Sequence, residues 1–333
     1  MNKTKTLIVL FGLGLIVYLF KQIGFEAVFA QLSSLGWKAF LVFIPFLLIN
    51  CIDAWAWILT FPPPFSKHAI SFLKIFWLRL WGEAINNFTA TAHIGGDVTR
   101  IYCLKSLGVP MTQGTVSVIM DKAALIISEI LFIYTSILLA LMKIDLPWWA
   151  KWGVSFTLIL VLLSIYAVLA LVHKGIFSKI VEMIYSRWQW ESILKLFEKI
   201  KHLDLHLTQF YKNHPNEFIR CNIWHYVGWV AGALETWVIL WVMGMNVGVV
   251  EAIMIEGLMT LVKGLGFFIV GSLGIQEGGA VFLFHLLNMG QDTGLAFSLL
   301  KRSREIFYGL VGWLVFSLRF SPAETKAPQT PLS

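Results

Sequence analysis

Runs of about 20 apolar residues recur along the chain, and they limit its fold more than any other feature. The clearest runs cover residues 39–59, 123–142, 152–172, 223–243 and 295–318. Hydrophobic residues make up 58% of the chain and charged residues 14%, whereas a typical soluble domain is about 25% charged. We therefore predict an all-α, polytopic integral membrane bundle, which excludes an ordinary soluble enzyme.

The rest of the composition excludes several function classes. The net charge is only +7 and the basic residues are scattered through apolar sequence, so no nucleic-acid partner is expected. Cys51, Cys103 and Cys221 lie far apart without a CxxC pair, which predicts neither a disulfide framework nor a metal site. His202 and His206 are one helical turn apart, but two histidines alone are a weak metal signal. We expect no cofactor.

The distribution of charge predicts the topology. Residues 7–20 follow two lysines, and we expect them to form an uncleaved anchor, with a cleaved signal peptide as the alternative. The basic, amphipathic segment 174–212 is expected to lie in the cytoplasm, and both termini would then be cytoplasmic as well. Residues 1–320 would form a single transmembrane domain in a bacterial inner membrane, followed by a disordered tail at 321–333.

Two further apolar stretches are interrupted. The first, 69–101, is broken at Asn86–Asn87 and at Gly95–Gly96, and the second, 252–287, is broken by four glycines from 264 to 274. Irregular backbone at membrane depth persists only where it is buried in protein or lines a wet cavity. We expect two broken or re-entrant hairpins here, an arrangement typical of transport sites.

Ionisable residues inside the apolar segments fall on shared helical faces. The stripes contain Arg79, Glu83 and Asn86; Asp121 and Ser128; Lys122 and Glu129; His225, Gly228, Gly232 and Glu235; Glu256, Thr260 and Lys263; and Ser298, Arg302, Glu305, Gly309 and Gly312. Each charge taken singly is explained by pairing between helices. Stripes of both signs taken together favour a hydrated internal cavity.

The two interrupted stretches resemble each other, as expected for an internal repeat. Each contains a glycine break with a carboxylate, then a short helix, a glycine turn and a charged helix. At an offset of 182 residues, Gly108 falls on Gly290 and Lys122 on Arg304. Chance similarity is the alternative explanation.

Two motifs resemble those of the lysylphosphatidylglycerol synthase transmembrane-region family. They are GSLGIQEGG at 271–279 with RSRE at 302–305, and NN at 86–87 with GGDVTR at 95–100. The resemblance covers nearly the whole chain and extends to stand-alone flippase-like members such as the hopanoid-biosynthesis-associated membrane protein. It implies that the chain moves an anionic or polyprenyl-type lipid between leaflets. Because no soluble aminoacyl-transferase domain follows, no aminoacylation of lipid is expected.

We accordingly expect a cavity that holds a lipid headgroup through basic side chains and through helix N-termini after the glycine breaks. The residues expected to form it are Asn87, Gly95, Gly96, Asp97, Arg100, Asp121, Lys122, Glu129, Glu235, Glu256, Lys263, Gly274, Gln276, Glu277, Arg302, Arg304 and Glu305. The motifs GxxxxGK[ST], HExxH and GxSxG do not occur, so we expect a transporter rather than an enzyme.

Two alternatives stay open. One is a lipid-modifying enzyme that uses His93 and Asp97 as acid and base near a phosphate. The other is an accessory subunit that packs against an enzyme of lipid biosynthesis. A homo-oligomer is compatible with either alternative and with a transporter.

Overall fold

The computed structural model describes residues 35–62, 70–88, 94–143, 205–266 and 272–319, with scattered positions in 26–33 and 147–163 and at 203 and 269. The predicted anchor at 7–20, most of the predicted span 152–172 and of the amphipathic segment 174–212, the tail at 321–333, and His93 and His202 lie outside these residues.

The described residues form helices and no strands. A 3-10 helix, Gly36–Val42, leads into α1, and the α-helices are α1 (Phe43–Ile58), α2 (Phe72–Phe88), α3 (Gly95–Ser106), α4 (Met111–Lys143), α5 (Pro215–Val242), α6 (Val249–Leu265), α7 (Ile275–Leu286) and α8 (Gln291–Arg319). The predicted all-α fold is therefore confirmed.

Two helical segments of the described chain are long and apolar enough to cross a membrane. They are Gly36–Ile58 and Met111–Lys143, which overlap two of the runs recognised in the sequence. At about 1.5 Å per residue, the 33 residues of α4 extend about 50 Å, whereas the hydrocarbon core is about 30 Å thick. Helix α4 is therefore longer than the predicted span 123–142, and part of it extends beyond the hydrocarbon.

Helix α5 packs against the largest number of partners. It contacts α1, α4, α6, α8 and the 3-10 helix, while α2 packs on α8 and α6 packs on α4. One apolar core, built around Trp57, Leu78 and Leu104, joins α1, α2 and α3. A second core, built around Ile255 and Phe284, joins α5 to α8.

The interruptions differ in part from the sequence prediction. Helix α2 continues through Asn86–Asn87 to Phe88, so the predicted break there is wrong. Asn86 is tolerated because it lies in the last turn, where its side-chain Oδ1 accepts a hydrogen bond of 2.8 Å from the backbone N–H of Gly96. The second interruption agrees with the prediction, because α6 ends at Leu265 and α7 begins at Ile275.

The helices repeat, but with a different offset from the predicted one. Helices α2 and α6 both have 17 residues, and α3 and α7 both have 12. Helix α7 begins 180 residues after α3, and α8 begins 180 residues after α4. The packing repeats as well, since α2 lies on α8 and α6 lies on α4.

The turn after the short helix shows why the offset of 182 is wrong. Gly108 has φ +89° and Asn288 has φ +55°. Gly108 and Val109 bond back to the carbonyls of Lys105 and Leu104, and the residues 180 positions later form the same two bonds. Gly108 therefore corresponds to Asn288, not to Gly290. Asparagine occupies the left-handed conformation because its short polar side chain tolerates it.

Candidate functional site

Two clusters of ion pairs, most of them buried, lie between the helices. The first cluster consists of Asp53, Arg79, Asp97, Arg100, Asp121, Lys122 and His225, from α1 to α5. The second cluster consists of Glu235, Glu256, Lys263, Glu277, Lys301, Arg302, Arg304 and Glu305, from α5 to α8. Buried charges are costly unless they are paired, and the pairs in these clusters supply that compensation.

Arg79 and His225 hold the centre of the first cluster. The Arg79 guanidinium lies 2.8 Å from Asp53 Oδ2 and 3.4 Å from Asp121 Oδ2. His225 Nδ1 lies 2.8 Å from Asp53 Oδ1, and His225 Nε2 lies 2.9 Å from Asp121 Oδ1. The His225 ring therefore joins the two aspartates, with each ring nitrogen at hydrogen-bond distance from a carboxylate oxygen.

The outer part of the first cluster is built on the start of α3. Asp97 lies 3.4 Å from the Arg100 guanidinium and 3.4 Å from Lys122 Nζ. Arg100 also donates to the backbone carbonyl of Arg79 at 3.2 Å. A Cβ on Gly82 would meet Arg100 Nε at 2.4 Å, so glycine at this position of α2 gives the arginine its space.

The second cluster is centred on α8. Arg302 donates to Glu277 Oε1 through Nε at 2.9 Å and Nη2 at 2.6 Å. Arg304 Nε lies 2.8 Å from Glu235 Oε1, and Lys263 Nζ lies 2.7 Å from Glu305 Oε1.

A further pair joins α6 to α8. Lys301 pairs with Glu256, which also accepts a hydrogen bond from the Thr236 hydroxyl. The side chains of Lys301 and Glu256 are no more than 10% exposed. Gly232 on α5 makes room for this pair, because a Cβ there would lie 3.3 Å from Glu256 Oε1. The small residues of the α5 stripe therefore allow carboxylates to approach, as Gly228 also does for Asp53.

The two clusters occupy equivalent helix positions. Arg79 and Glu256 are both the eighth residue of their helices, α2 and α6, and Asp121 and Lys301 are both the eleventh of α4 and α8. The pair Arg79–Asp121 therefore corresponds to the pair Glu256–Lys301 with its charges exchanged.

A second pair of equivalent ion pairs has the same order of charge in both halves. Asp97 and Glu277 are the third residues of α3 and α7, and their partners Lys122 and Arg302 are the twelfth of α4 and α8. Lys122 thus corresponds to Arg302 rather than to Arg304.

A cavity of about 210 Å³ lies between the clusters. Its polar lining contains Asn50, Asp53, Arg79, Glu83, Asn87, Glu129, His225, Glu235, Glu256, Thr260, Lys263, Gln276, Lys301, Arg304 and Glu305. Apolar side chains such as Phe46, Leu125 and Met259 complete the wall. The volume is enough for several water molecules, each of which occupies about 30 Å³ in the liquid.

The predicted site residues divide into two groups. Asn87, Glu129, Glu235, Glu256, Lys263, Gln276, Arg304 and Glu305 line the cavity. Gly95, Gly96, Asp97, Arg100, Asp121, Lys122, Gly274, Glu277 and Arg302 are not part of its lining. The charged members of the second group pair with one another or with residues that line the cavity.

Sequence reasoning missed two residues that the clusters depend on. Asp53 and Lys301 were not singled out, and Arg79 and His225 were placed on stripes but not in the site. Asp53 is the single charge in an otherwise apolar run, so it forms no stripe by itself. A lone carboxylate in a membrane span was a usable signal, because such residues face the interior and require a partner.

The helix N-termini at the glycine breaks are already occupied in part. Glu277 Oε2 accepts a hydrogen bond of 2.7 Å from the backbone N–H of Gly274. Asn86 Oδ1 likewise accepts a hydrogen bond from the backbone N–H of Gly96. The N–H groups of Gly274 and Gly96 therefore donate to side chains of the protein, and the donation of the following N–H groups to a headgroup stays a prediction.

Asp121, Cys221 and His225 bring their ligand atoms within 4.8 Å of one another. A metal ion requires a lone pair on an imidazole nitrogen, and both nitrogens of His225 lie against carboxylates. Arg79 already brings positive charge to Asp121. The donor set therefore fits an ion-pair network better than a metal centre.

Comparison with known proteins gives the family. The family model described as "Lysylphosphatidylglycerol synthase TM region" matches residues 5–312. No curated protein and no solved structure matches the chain. The chain belongs to this family of membrane proteins, which indicates a role connected with membrane lipids.

Proposed function

We propose that this member of the lysylphosphatidylglycerol synthase transmembrane-region family is a lipid translocase, not an enzyme. It would move an anionic or polyprenyl-type lipid between the leaflets of a bacterial inner membrane, with both termini in the cytoplasm. The observation that carries the proposal is the polar cavity between the two ion-pair clusters. A headgroup that crosses hydrocarbon needs such a polar route, because an unsolvated polar group costs several kcal/mol there.

The helix pairs on both sides of the cavity support the same function. We propose that α2–α3 and α6–α7 enter the membrane as hairpins, with the irregular backbone between them facing protein rather than lipid. Exposed apolar side chains such as Ile44, Leu48 and Trp241 cover the outer surface of α1 and α5. Acyl chains can therefore stay in the bilayer while the headgroup crosses the interior.

Lys263 is the base best placed to receive an anionic headgroup. Its side chain lines the cavity and is 42% exposed, whereas the side chains of Lys301 and Arg304 are 7% exposed. A phosphate can approach the Lys263 ammonium, which has three donors, while the contact with Glu305 is kept or exchanged. Hydrogen bonds to charged groups contribute about 1.5–3 kcal/mol.

The test compares two ion-paired lysines. Lys263→Gln removes the cavity cation, and Lys143→Gln removes a lysine that pairs with Glu251 outside the cavity lining. Purified protein is reconstituted into vesicles that contain a fluorescent analogue of phosphatidylglycerol, and leaflet exchange is followed by chemical quenching of the outer leaflet.

We expect the wild type and Lys143→Gln to exchange the analogue, and Lys263→Gln to be slower by about tenfold or more, the equivalent of 1.4 kcal/mol. If wild-type protein gives no exchange above protein-free vesicles, the translocase proposal fails. If Lys263→Gln matches the wild type, the assignment of Lys263 to the headgroup fails.

A further inference from the structure

Two carboxylates of the cavity form no ion pair within 4.0 Å in the described part of the chain. Among the described residues, each lysine and arginine of the two clusters lies within 4.0 Å of a carboxylate oxygen. Glu83 on α2 and Glu129 on α4 line the same cavity, and neither forms an ion pair or a hydrogen bond in the described part of the chain. Carboxylates at membrane depth without a base are costly when they are ionised.

The groups facing Glu83 are already engaged. Arg79 on the same helix binds Asp53 and Asp121, and Arg100 on α3 binds Asp97. Asp53 from α1 and Arg304 and Glu305 from α8 line the same cavity, and Arg304 is held by Glu235.

Glu129 has similar surroundings. Lys122 on the same helix binds Asp97, and Lys263 on α6 binds Glu305. His225 and Glu235 from α5 and Glu256 from α6 complete the charged groups of the cavity wall on this side. Neither glutamate therefore has a cation of its own.

An independent observation in the same cavity points to a ligand. Gln276, at the start of α7, is fully buried, yet its side-chain Oε1 and Nε2 have no hydrogen-bond partner. Its side chain faces the cavity. Buried amides normally have hydrogen-bond partners. The Nε2 donor and the Oε1 acceptor of Gln276 can therefore bind water or another polar group that enters the cavity.

A proton fits the two glutamates better than a metal ion. A hard cation such as Ca²⁺ takes about 6–8 oxygen ligands. In the described residues, the one group of three His, Cys, Asp or Glu ligands with metal-binding spacing is Asp121, Cys221 and His225, which includes neither glutamate. A proton needs a single carboxylate oxygen and makes the group neutral.

We propose that Glu83 and Glu129 are the proton-binding residues of the cavity, and that they couple lipid movement to a proton gradient. The inference rests on the proposed translocase function. A proton from water on one side adds to a carboxylate oxygen and forms a carboxylic acid. The same O–H bond breaks when the proton leaves to water on the other side. Gln276 supplies hydrogen bonds to the water that carries it.

The experiment measures lipid and proton movement in the same vesicles. The protein is reconstituted with the fluorescent lipid analogue and with a pH-sensitive dye in the lumen, and a gradient of one pH unit is imposed. Glu83→Gln and Glu129→Gln remove the proton site while the side-chain shape is kept. Glu129→Asp keeps a carboxylate, and Glu251→Gln is the matched control because Glu251 pairs with Lys143 outside the cavity lining.

We expect the gradient to speed wild-type lipid exchange at least fivefold, with uptake of protons reported by the dye. Glu83→Gln and Glu129→Gln should lose this response to the gradient, whereas Glu129→Asp and Glu251→Gln should keep it. An equal response in wild type and in both glutamine variants overturns the coupling, and so does an equal response to a sodium gradient at constant pH.

Failure of the two proposals can be distinguished. If the wild type exchanges lipid at the same rate with and without the gradient, the proton coupling is wrong while the translocase function stands. If no protein exchanges lipid under any condition, the translocase function fails, and the coupling fails with it. Thermal unfolding of each variant in detergent shows whether a lost response reflects a lost fold.

Discussion

The buried pair between Glu256 and Lys301 gives a direct test of the repeat. The equivalent pair in the other half, Arg79 with Asp121, has its charges in the opposite order. The fold should therefore require that these two positions are paired, not that either sign occupies a given helix. We predict that the double exchange Glu256→Lys with Lys301→Glu is more stable than either single substitution.

The magnitudes follow from burial. Removing one partner of a buried pair costs about 3–5 kcal/mol, because the other charge is left without compensation. An unfolding entropy of about 2.1 cal/mol/K per residue gives a shift in Tm of about 1.4 °C per kcal/mol for a chain of 333 residues. Each single substitution should therefore lower Tm by about 4–7 °C. The double exchange should recover at least half of this loss, since Thr236, which donates to Glu256, can accept from an ammonium group instead.

The assay is thermal unfolding of purified protein in detergent, followed by tryptophan fluorescence. The pair Lys143–Glu251 is the control, because its side chains are 49% and 33% exposed and exposed pairs contribute about 0–1 kcal/mol. Its single substitutions should therefore shift Tm by at most about 2 °C. If the double exchange at Glu256 and Lys301 melts below both single variants, the equivalence of the two pairs is refuted.

Two further predictions concern packing. Gly96→Ala should destabilise the protein strongly, because a Cβ there would lie 2.0 Å from the backbone oxygen of Gly82. A Cβ on Gly264 would meet nothing within 4 Å, so Gly264→Ala should be neutral or stabilising by up to about 1 kcal/mol. Thermal unfolding measures the Tm of both variants, and equal Tm values would contradict the close contact at Gly96. In the folded protein, a maleimide should label Cys51, which is partly exposed, and not Cys221, which is fully buried. Mass spectrometry identifies the labelled cysteine, and rapid labelling of Cys221 would contradict its burial.

The helices and their polar faces were predictable from local sequence. The i, i+4, i+7 spacing placed Glu256 and Lys263 on one side of a helix, and both do line the cavity. Spacing along one helix cannot identify the partner, because the partner lies on another helix at a distant sequence position. Asp53 binds Arg79 and His225 across separations of 26 and 172 residues, which no periodicity predicts.

The offset of the repeat was misjudged for a similar reason. Matching glycine to glycine aligned Gly108 with Gly290, but the backbone places Asn288 in the equivalent left-handed position. Conformation repeats more faithfully than residue identity, because asparagine and glycine both tolerate positive φ. The hydrogen bonds of the turn, rather than its residue types, identify the correct register.

The corrected register also explains which charges are exchanged between the halves and which are not. Asp97 and Glu277 lie in the first turn of α3 and α7, where the positive end of the helix dipole favours a carboxylate. Their partners must then be basic, and Lys122 and Arg302 are. The pairs Arg79–Asp121 and Glu256–Lys301 lie in the middle of their helices, where the dipole favours neither sign. Pairing alone constrains these positions, so the two halves can carry opposite orders of charge and remain equally compensated.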